Sequence, residues 1–454
     1  MVDLASESVT APAARPDSTA AETSRYESDF SLRKIRVALT ILLGQTFATS
    51  ILPFIALPLL LVPMTNQFGW TPAEFSLATT SLMIVGALSV FPLGYIVDRI
   101  GCRPIIILGS LMVGAVTMAI SQVNSLFTFC LGFAALGFFG STGMVYSKVI
   151  ASLFTKHRGK ALAIFGAESA VAGAITPQII RHLLEKYQWQ QTFLILGVTI
   201  IVIVPLLYFF LEEPGTAGGS RNLFKFLRTK EKSSDAPEHD QSPAQLEGMT
   251  FKQIAMDRIF WLILLATLIA GAPRGALFTY LSPILSDRGF NGQAATANFL
   301  SLITLTAAVG SLVGGFALDK FHSTKLAVPF KVLSMLALIL LGVVSMRFGG
   351  LGLLTLTALL WGFSDGAMRP MGTYFNTRLF GLKAFGGMMG LNSFFFAIFL
   401  GLIAPIGGLV QQATGSYGPA IWTLVGFLAL GALIYLTLGP YRYGVMVGAT
   451  KKQA

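Results

Sequence analysis

Charge is scarce in this chain. Only 12% of its 454 residues are Asp, Glu, Lys or Arg, against roughly 25% in an average soluble domain, which argues against a water-soluble globular protein. There are two cysteines, Cys102 and Cys130. Neither has metal-ligand spacing, and their places in a loop and inside an apolar run exclude a disulfide framework. The four histidines fall in loops or at the ends of apolar runs. No set of His, Cys and carboxylates clusters, so nothing points to a membrane enzyme, a metal or another cofactor. No Gly-x4-Gly-Lys-Ser/Thr string is present, which removes nucleotide binding and ATP as an energy source. Residues 1–30 lack an apolar core and read as a disordered tail rather than a signal peptide.

What remains is apolar. Hydrophobic residues make up 54% of the chain, and mean hydropathy is +0.70. Runs of about 20 apolar residues, each long enough to cross a hydrocarbon core of roughly 30 Å as a helix, recur from Arg36 to Tyr441. Twelve are counted, centred near residues 52, 86, 114, 138, 170, 201, 271, 306, 336, 360, 400 and 429. Lipid cannot satisfy open backbone groups, so such runs are helices or barrel strands, and they lack the alternation of barrel strands. The expected fold class is an all-α membrane protein with twelve transmembrane helices.

A net charge of +11 invites a nucleic-acid reading, which the distribution of the charge removes. Of the 32 Lys and Arg, twenty-five fall in the tails and the even-to-odd connections. Four (Arg181, Lys186, Arg288, Arg347) fall in the opposite loops, and three (Lys148, Arg274, Arg369) fall within spans. Basic residues concentrate on the cytoplasmic side, so both termini are expected there, in a cell (inner or plasma) membrane.

The longest polar interruption, 212–258, contains Gly215-Thr-Ala-Gly-Gly-Ser220 and a mixed-charge run from Lys225 to Asp240. It reads as a cytoplasmic linker, with Asn222–Leu227 or Thr250–Asp257 as a surface amphipathic helix. The expected division is a tail at 1–34, a six-helix bundle at 35–211, the linker, a second six-helix bundle at 259–440 and a tail at 441–454. The halves echo one another. Gly94-Tyr-Ile-Val-Asp98-Arg99-Ile-Gly101-Cys-Arg103-Pro104 has a weaker copy, Gly315-Phe-Ala-Leu-Asp319-Lys320, in which His322 and Thr324 replace the later Gly and Arg. This pair resembles the loops between helices 2 and 3 and helices 8 and 9 of the major facilitator superfamily. The resemblance implies two bundles that rock about a site near the midplane. It also implies that Asp98 joins a charge network touching span 11, with Gly94, Arg99, Gly101, Arg103, Asp319 and Lys320 acting in conformational control.

Two further stretches, Phe154-Thr-Lys-His-Arg158-Gly159-Lys-Ala161 and Phe68-Gly69-Trp70-Thr71-Pro72-Ala-Glu74, resemble the monocarboxylate transporter and oxalate:formate antiporter branch. Arg158 enters the conformational set through that string. The sequence departs from the branch in lacking the acidic-Gly pair of span 1, the charged pair of span 8 (where Asn298 stands) and the lysine of span 11 (where Gly390, Asn392 and Ser393 stand). The solute is therefore not carried across.

An ionisable residue inside a span costs at least about 2.5–3.5 kcal/mol, so each needs a reason. Arg274 lies near the middle of span 7 in Gly271-Ala-Pro273-Arg274-Gly275, where Pro273 is expected to break the helix. A guanidinium there matches a carboxylate with two bonds; the alternative is an internal ion pair with Asp365. Asp365 and Arg369 are four apart on one helix face, either neutralising each other or offering Asp365 as a proton site. Lys148 and Glu168 flank the hairpin between spans 4 and 5 and are placed to pair, and Glu168 is a second proton candidate. Asn298 and Asn392, with Gln45 and Gln178, are polar enough to line a cavity or to bond between helices.

The function expected is proton-coupled symport of a small organic anion, a monocarboxylate or aromatic acid, by alternating access. Arg274, Arg369, Asn298 and Asn392 would contact the solute, and Asp365 or Glu168 would carry the proton. The partners are the anion, protons and the bilayer, with no nucleic acid, no nucleotide and no cofactor. Open alternatives are an efflux antiporter for amphipathic compounds, an anion exchanger without protons, and a sensor that binds without transporting.

Overall fold

The computed structural model describes residues 32–47, 51–143, 145–146, 149, 158–211, 248–321, 323–381, 383–439 and 441–442. These are helical almost throughout, and no strand occurs among them. The first half holds α1 (Leu32–Phe47), α2 (Ile51–Phe68), α3 (Pro72–Ile100), α4 (Cys102–Ile120), α5 (Leu126–Gly140), α6 (Arg158–Lys186) and α7 (Trp189–Phe210). A short helix, α8 (Phe251–Met256), precedes α9 (Arg258–Asp287), α10 (Gly292–Lys320), α11 (Ala327–Val343), α12 (Gly350–Phe380), α13 (Phe385–Thr414) and α14 (Gly418–Thr437). Among the described residues, ten stretches are long and apolar enough to cross a membrane, the first joining α1 and α2. Leu126–Gly140 is a shorter apolar helix, and α6 completes the twelve crossings. The outer surface carries exposed Leu108, Val202, Phe209, Leu312 and Phe316, as a lipid-facing surface requires.

The loop stretches singled out in the sequence have local mechanical roles. Gly69 takes a φ of +68° that an L side chain rarely adopts, turning the chain so that Trp70 stacks on Phe68 at 4.5 Å. Thr71 then caps α3. Its hydroxyl accepts from the Glu74 amide at 3.2 Å while its own amide donates to Glu74 Oε2 at 2.8 Å, a reciprocal capping box. Gly101, at φ +94°, makes the turn from α3 to α4.

Small residues let helices approach. A Cβ on Gly310, Gly362 or Gly366 would run into Phe363, Ile303 or Ala307 backbone, so α10 and α12 touch main chain to main chain. The two bundles meet along α3 with α13, α6 with α10, and α2 with α9. Among the described residues, their hydrogen bonds lie in the half of the spans away from the linker. Thr80 donates to the Gly401 carbonyl at 2.6 Å, and Ser301 to that of Ala174 at 2.6 Å. Gln178 donates to Asn298 and Ser301 at 3.0 and 3.1 Å.

One expectation is corrected here. Pro273 does not break its helix: α9 runs without interruption from Arg258 to Asp287 with Pro273 and Pro283 inside it. A proline removes one backbone bond and crowds the carbonyl a turn earlier. Dense packing offsets that loss, with Pro273 itself buried, Gly271 against Phe396, and Gly275 against Leu400 and Ile403.

Candidate functional site

Between the bundles lies a cavity of about 470 Å³. The first bundle contributes Phe54, Ile55, Thr79, Met83, Gly173 and Pro177. The second contributes mostly apolar groups, Leu277, Phe278, Ile303, Trp361 and Leu400 among them, and three charged ones: Arg274, Asp365 and Arg369. Phe54 and Phe278 stack across the bundle boundary with centroids 4.8 Å apart. Thr79 and Thr279 hydroxyls stand 3.5 Å apart beside them, so these pairs close the cavity on the side away from the linker.

The charged groups converge on one atom. Arg274 Nη2 donates to Asp365 Oδ2 at 2.8 Å, and Arg369 Nη2 donates to the same oxygen at 3.1 Å. The Arg274 and Arg369 side chains are 42% and 43% exposed and that of Asp365 24%. Each guanidinium has five N–H donors and commits one to the carboxylate, so both keep donors for a further oxygen. Two fixed cations share one anion, leaving a surplus of positive charge on an otherwise apolar wall. Such a wall is chemically suited to an anion with an apolar body.

Sequence reasoning therefore brought together Arg274, Asp365 and Arg369, and the ion pair and the cavity coexist. Asn298 is elsewhere, at a second cavity of about 350 Å³ lined also by Gln178, Ser301 and Leu354. Asn392 is buried in α13 and does not line the first cavity. Phe395 packs on Trp261 at 5.9 Å and Phe396 against Gly271, contacts between helices rather than with a solute. Arg103 turns inward, its Nη2 donating to the Tyr208 carbonyl at 2.5 Å and its guanidinium lying over the Tyr208 ring. Lys320 lies over the Phe321 ring. The side chains of Asp98, Arg99, Arg158, Glu168 and Asp319, and all of Lys148, lie outside the described residues.

One charged residue was missed. The sorting of basic residues put Lys331 in the connection before span 9, but it belongs to α11 and is 5% exposed. It lies within electrostatic reach of Asp365. The available signal was its place within Ala327-Val-Pro-Phe-Lys331-Val-Leu-Ser-Met-Leu336, where apolar residues flank it on both sides.

A family model described as the Major Facilitator Superfamily matches residues 41–353. The chain is 24% identical over 389 residues to the MFS-type transporter YcxA of Bacillus subtilis (strain 168), covering 83% of this chain and 88% of that protein. It is 24% identical over 358 residues to monocarboxylate transporter 11 of Mus musculus, covering 75% and 73%. Among solved structures, it is similar in fold to a bacterial homolog of the human lysosomal transporter Spinster in an inward-facing, unoccupied conformation. That match has a TM-score of 0.66 and 16% identity, over 89% of this chain and 96% of the other.

Proposed function

The chain belongs to the Major Facilitator Superfamily, and from that premise, as a multi-pass membrane transporter and not an enzyme, we infer that it carries a small organic anion in symport with protons. The cargo in this reading is a monocarboxylate or aromatic acid. The observation that carries it is the convergence of Arg274 and Arg369 on a single Asp365 oxygen inside an apolar cavity between the bundles. A carboxylate accepts from the free guanidinium donors and competes with Asp365 for the two that it holds. Phe54, Phe278, Trp361 and Met83 cover the apolar body. Asp365, once released from the arginines, is a proton carrier, with Glu168 the second one.

The linker end faces the cytoplasm in this reading, in keeping with the basic residues concentrated there. The bundles then stand closed toward the outside, in an inward-facing arrangement. Transport reverses this by breaking the contacts of α2, α3 and α6 with α9, α10 and α13. A bound solute shifts that balance only by its differential affinity for the two states.

The reading is tested in liposomes under an inward proton gradient, with labelled monocarboxylates, dicarboxylates and aromatic acids and with Arg274→Ala in parallel. Gradient-driven uptake of one acid, lost in the variant, is expected. Uptake of no acid, or uptake indifferent to Arg274→Ala, contradicts it and moves efflux or solute sensing forward. Acid exchange that persists after both Asp365 and Glu168 are neutralised favours an exchanger without protons.

A further inference from the structure

Lys331 has no role in the reading above. It sits on α11, almost fully buried, and among the described residues it makes neither a hydrogen bond nor an ion pair. Its level in the bundle is fixed by the packing of α11 on α12. Ser334, one turn further on, shares a 2.7 Å hydrogen bond with Ser364, and Asp365 is the next residue. Lys331 therefore lies within about a turn of the level of Asp365 and within electrostatic reach of the carboxylate that Arg274 and Arg369 already hold, without lining the cavity itself. The other titratable groups on the elements packed against α11 are engaged elsewhere. Tyr435 of α14 packs on Phe375, Arg378 lies over Tyr374 on α12, and Lys325 in the preceding turn is exposed.

Three cations thus surround one carboxylate. A buried charge without a partner is costly, and the excess has to be relieved at one of the three. A guanidinium does not lose its proton in a protein, whereas a buried lysine amine can.

We propose that Lys331 is a proton site of the transport cycle, neutral while the cavity is empty and protonated when an organic anion occupies Arg274 and Arg369. This rests on the anion reading and adds a proton carrier to it. The charges balance. In the empty site two guanidinium groups and Asp365 carry one net positive charge. A bound monoanion cancels that charge. The Lys331 Nζ lone pair then takes one proton from a hydronium ion, an N–H bond forming as an O–H bond breaks and neutral water leaves, which restores the charge. With Asp365 still ionised, Lys331 brings one proton with each monoanion, and the cluster then keeps a constant charge.

The test has an arm that needs no solute. Thermal unfolding midpoints of the full chain in detergent are measured between about pH 6 and pH 9 for wild type, Lys331→Met and Lys331→Arg. Wild type alone has a titrating group at this position, so its curve is expected to diverge from those of both variants. Three parallel curves overturn the proposal. In the second arm, liposomes receive labelled benzoate. Lys331→Met is expected to exchange benzoate for benzoate but to lose gradient-driven accumulation by roughly tenfold or more, about 1.4 kcal/mol of coupling. Undiminished accumulation by that variant overturns the proposal. Wild type that neither takes up nor exchanges benzoate counts against the anion reading, and the unfolding curves then decide the Lys331 assignment alone.

Discussion

Arg274 and Asp365, 91 residues apart in the chain, meet at 2.8 Å, and the contact ties the middle of α9 to the middle of α12. Arg369 reaches the same oxygen, so in the proposed reading Asp365 would compete with a carboxylate that enters the cavity. In the proposed reading, a solute carboxylate would take the donors that Arg274 and Arg369 keep free and compete with Asp365 for the rest.

Arg274→Ala and Arg369→Ala should each weaken binding of the transported acid. A hydrogen bond to a charged group contributes about 1.5–3 kcal/mol, which corresponds to roughly 10- to 100-fold in affinity. Asp365→Asn removes the competitor's charge and should tighten binding while slowing release. The concentration dependence of uptake, set beside equilibrium binding, separates these effects.

Backbone contact between α10 and α12 should tolerate no added methyl group. Gly366→Ala places a Cβ against the Ala307 backbone, an overpacking of the kind that costs about 1–3 kcal/mol, and should lower the unfolding temperature. Gly372→Ala, where a Cβ meets nothing within 4 Å, should be neutral or gain up to about 1 kcal/mol of helix propensity. Fluorescence-detected unfolding of both variants in detergent makes the comparison.

Much of the architecture was legible in the sequence because lipid imposes one rule along the whole chain. Apolar length marks each span, and the polar stretch after Leu211 marks the junction of the halves. The Arg274, Asp365 and Arg369 cluster was legible because ions inside spans are rare enough to be examined one by one. Pro273 misled because a missing N–H is a local cost, whereas the continuity of α9 is decided by packing of Gly271 and Gly275 that no single helix reveals. Lys331 was hidden by its nearness to a basic loop. Only the pairing of Ser334 with Ser364 shows that it stands within about a turn of the level of Asp365. Asn298 looked like a cavity residue on polarity alone, and the partner that occupies it, Gln178, lies 120 positions away.

Gln178 joins the bundles by two side-chain bonds on the face away from the linker. At about 1 kcal/mol each, their loss in Gln178→Ala should shift the population toward the arrangement open on that face. The shift should approach roughly 30-fold if both bonds are absent in that state. Distances between spin labels on the α6–α7 and α13–α14 loops, which lie on that face in the two bundles, should report it, with Asn298→Ala giving a shift of the same sign.

Arg103 should prove a stability residue. It binds the Tyr208 carbonyl in the last turn of α7, where a cation is favoured by the helix dipole. Arg103→Ala should therefore lower the unfolding temperature by several degrees, with a loss of about 1.5–3 kcal/mol, and leave solute affinity within about twofold. A large change in affinity at unchanged stability would contradict this placement.

The central claim is that the cavity between the bundles recognises an anion through Arg274 and Arg369. Its most direct measurement is the thermal stabilisation of purified protein by graded concentrations of organic acids, matched neutral amides and matched amines, for wild type and for Arg274→Gln/Arg369→Gln. A ligand that binds the folded state raises its stability in proportion to the logarithm of concentration over Kd. The account predicts that acids alone stabilise wild type and that the double variant loses the response. Stabilisation by amines or amides but not by acids, or an acid response retained in the double variant, would contradict it.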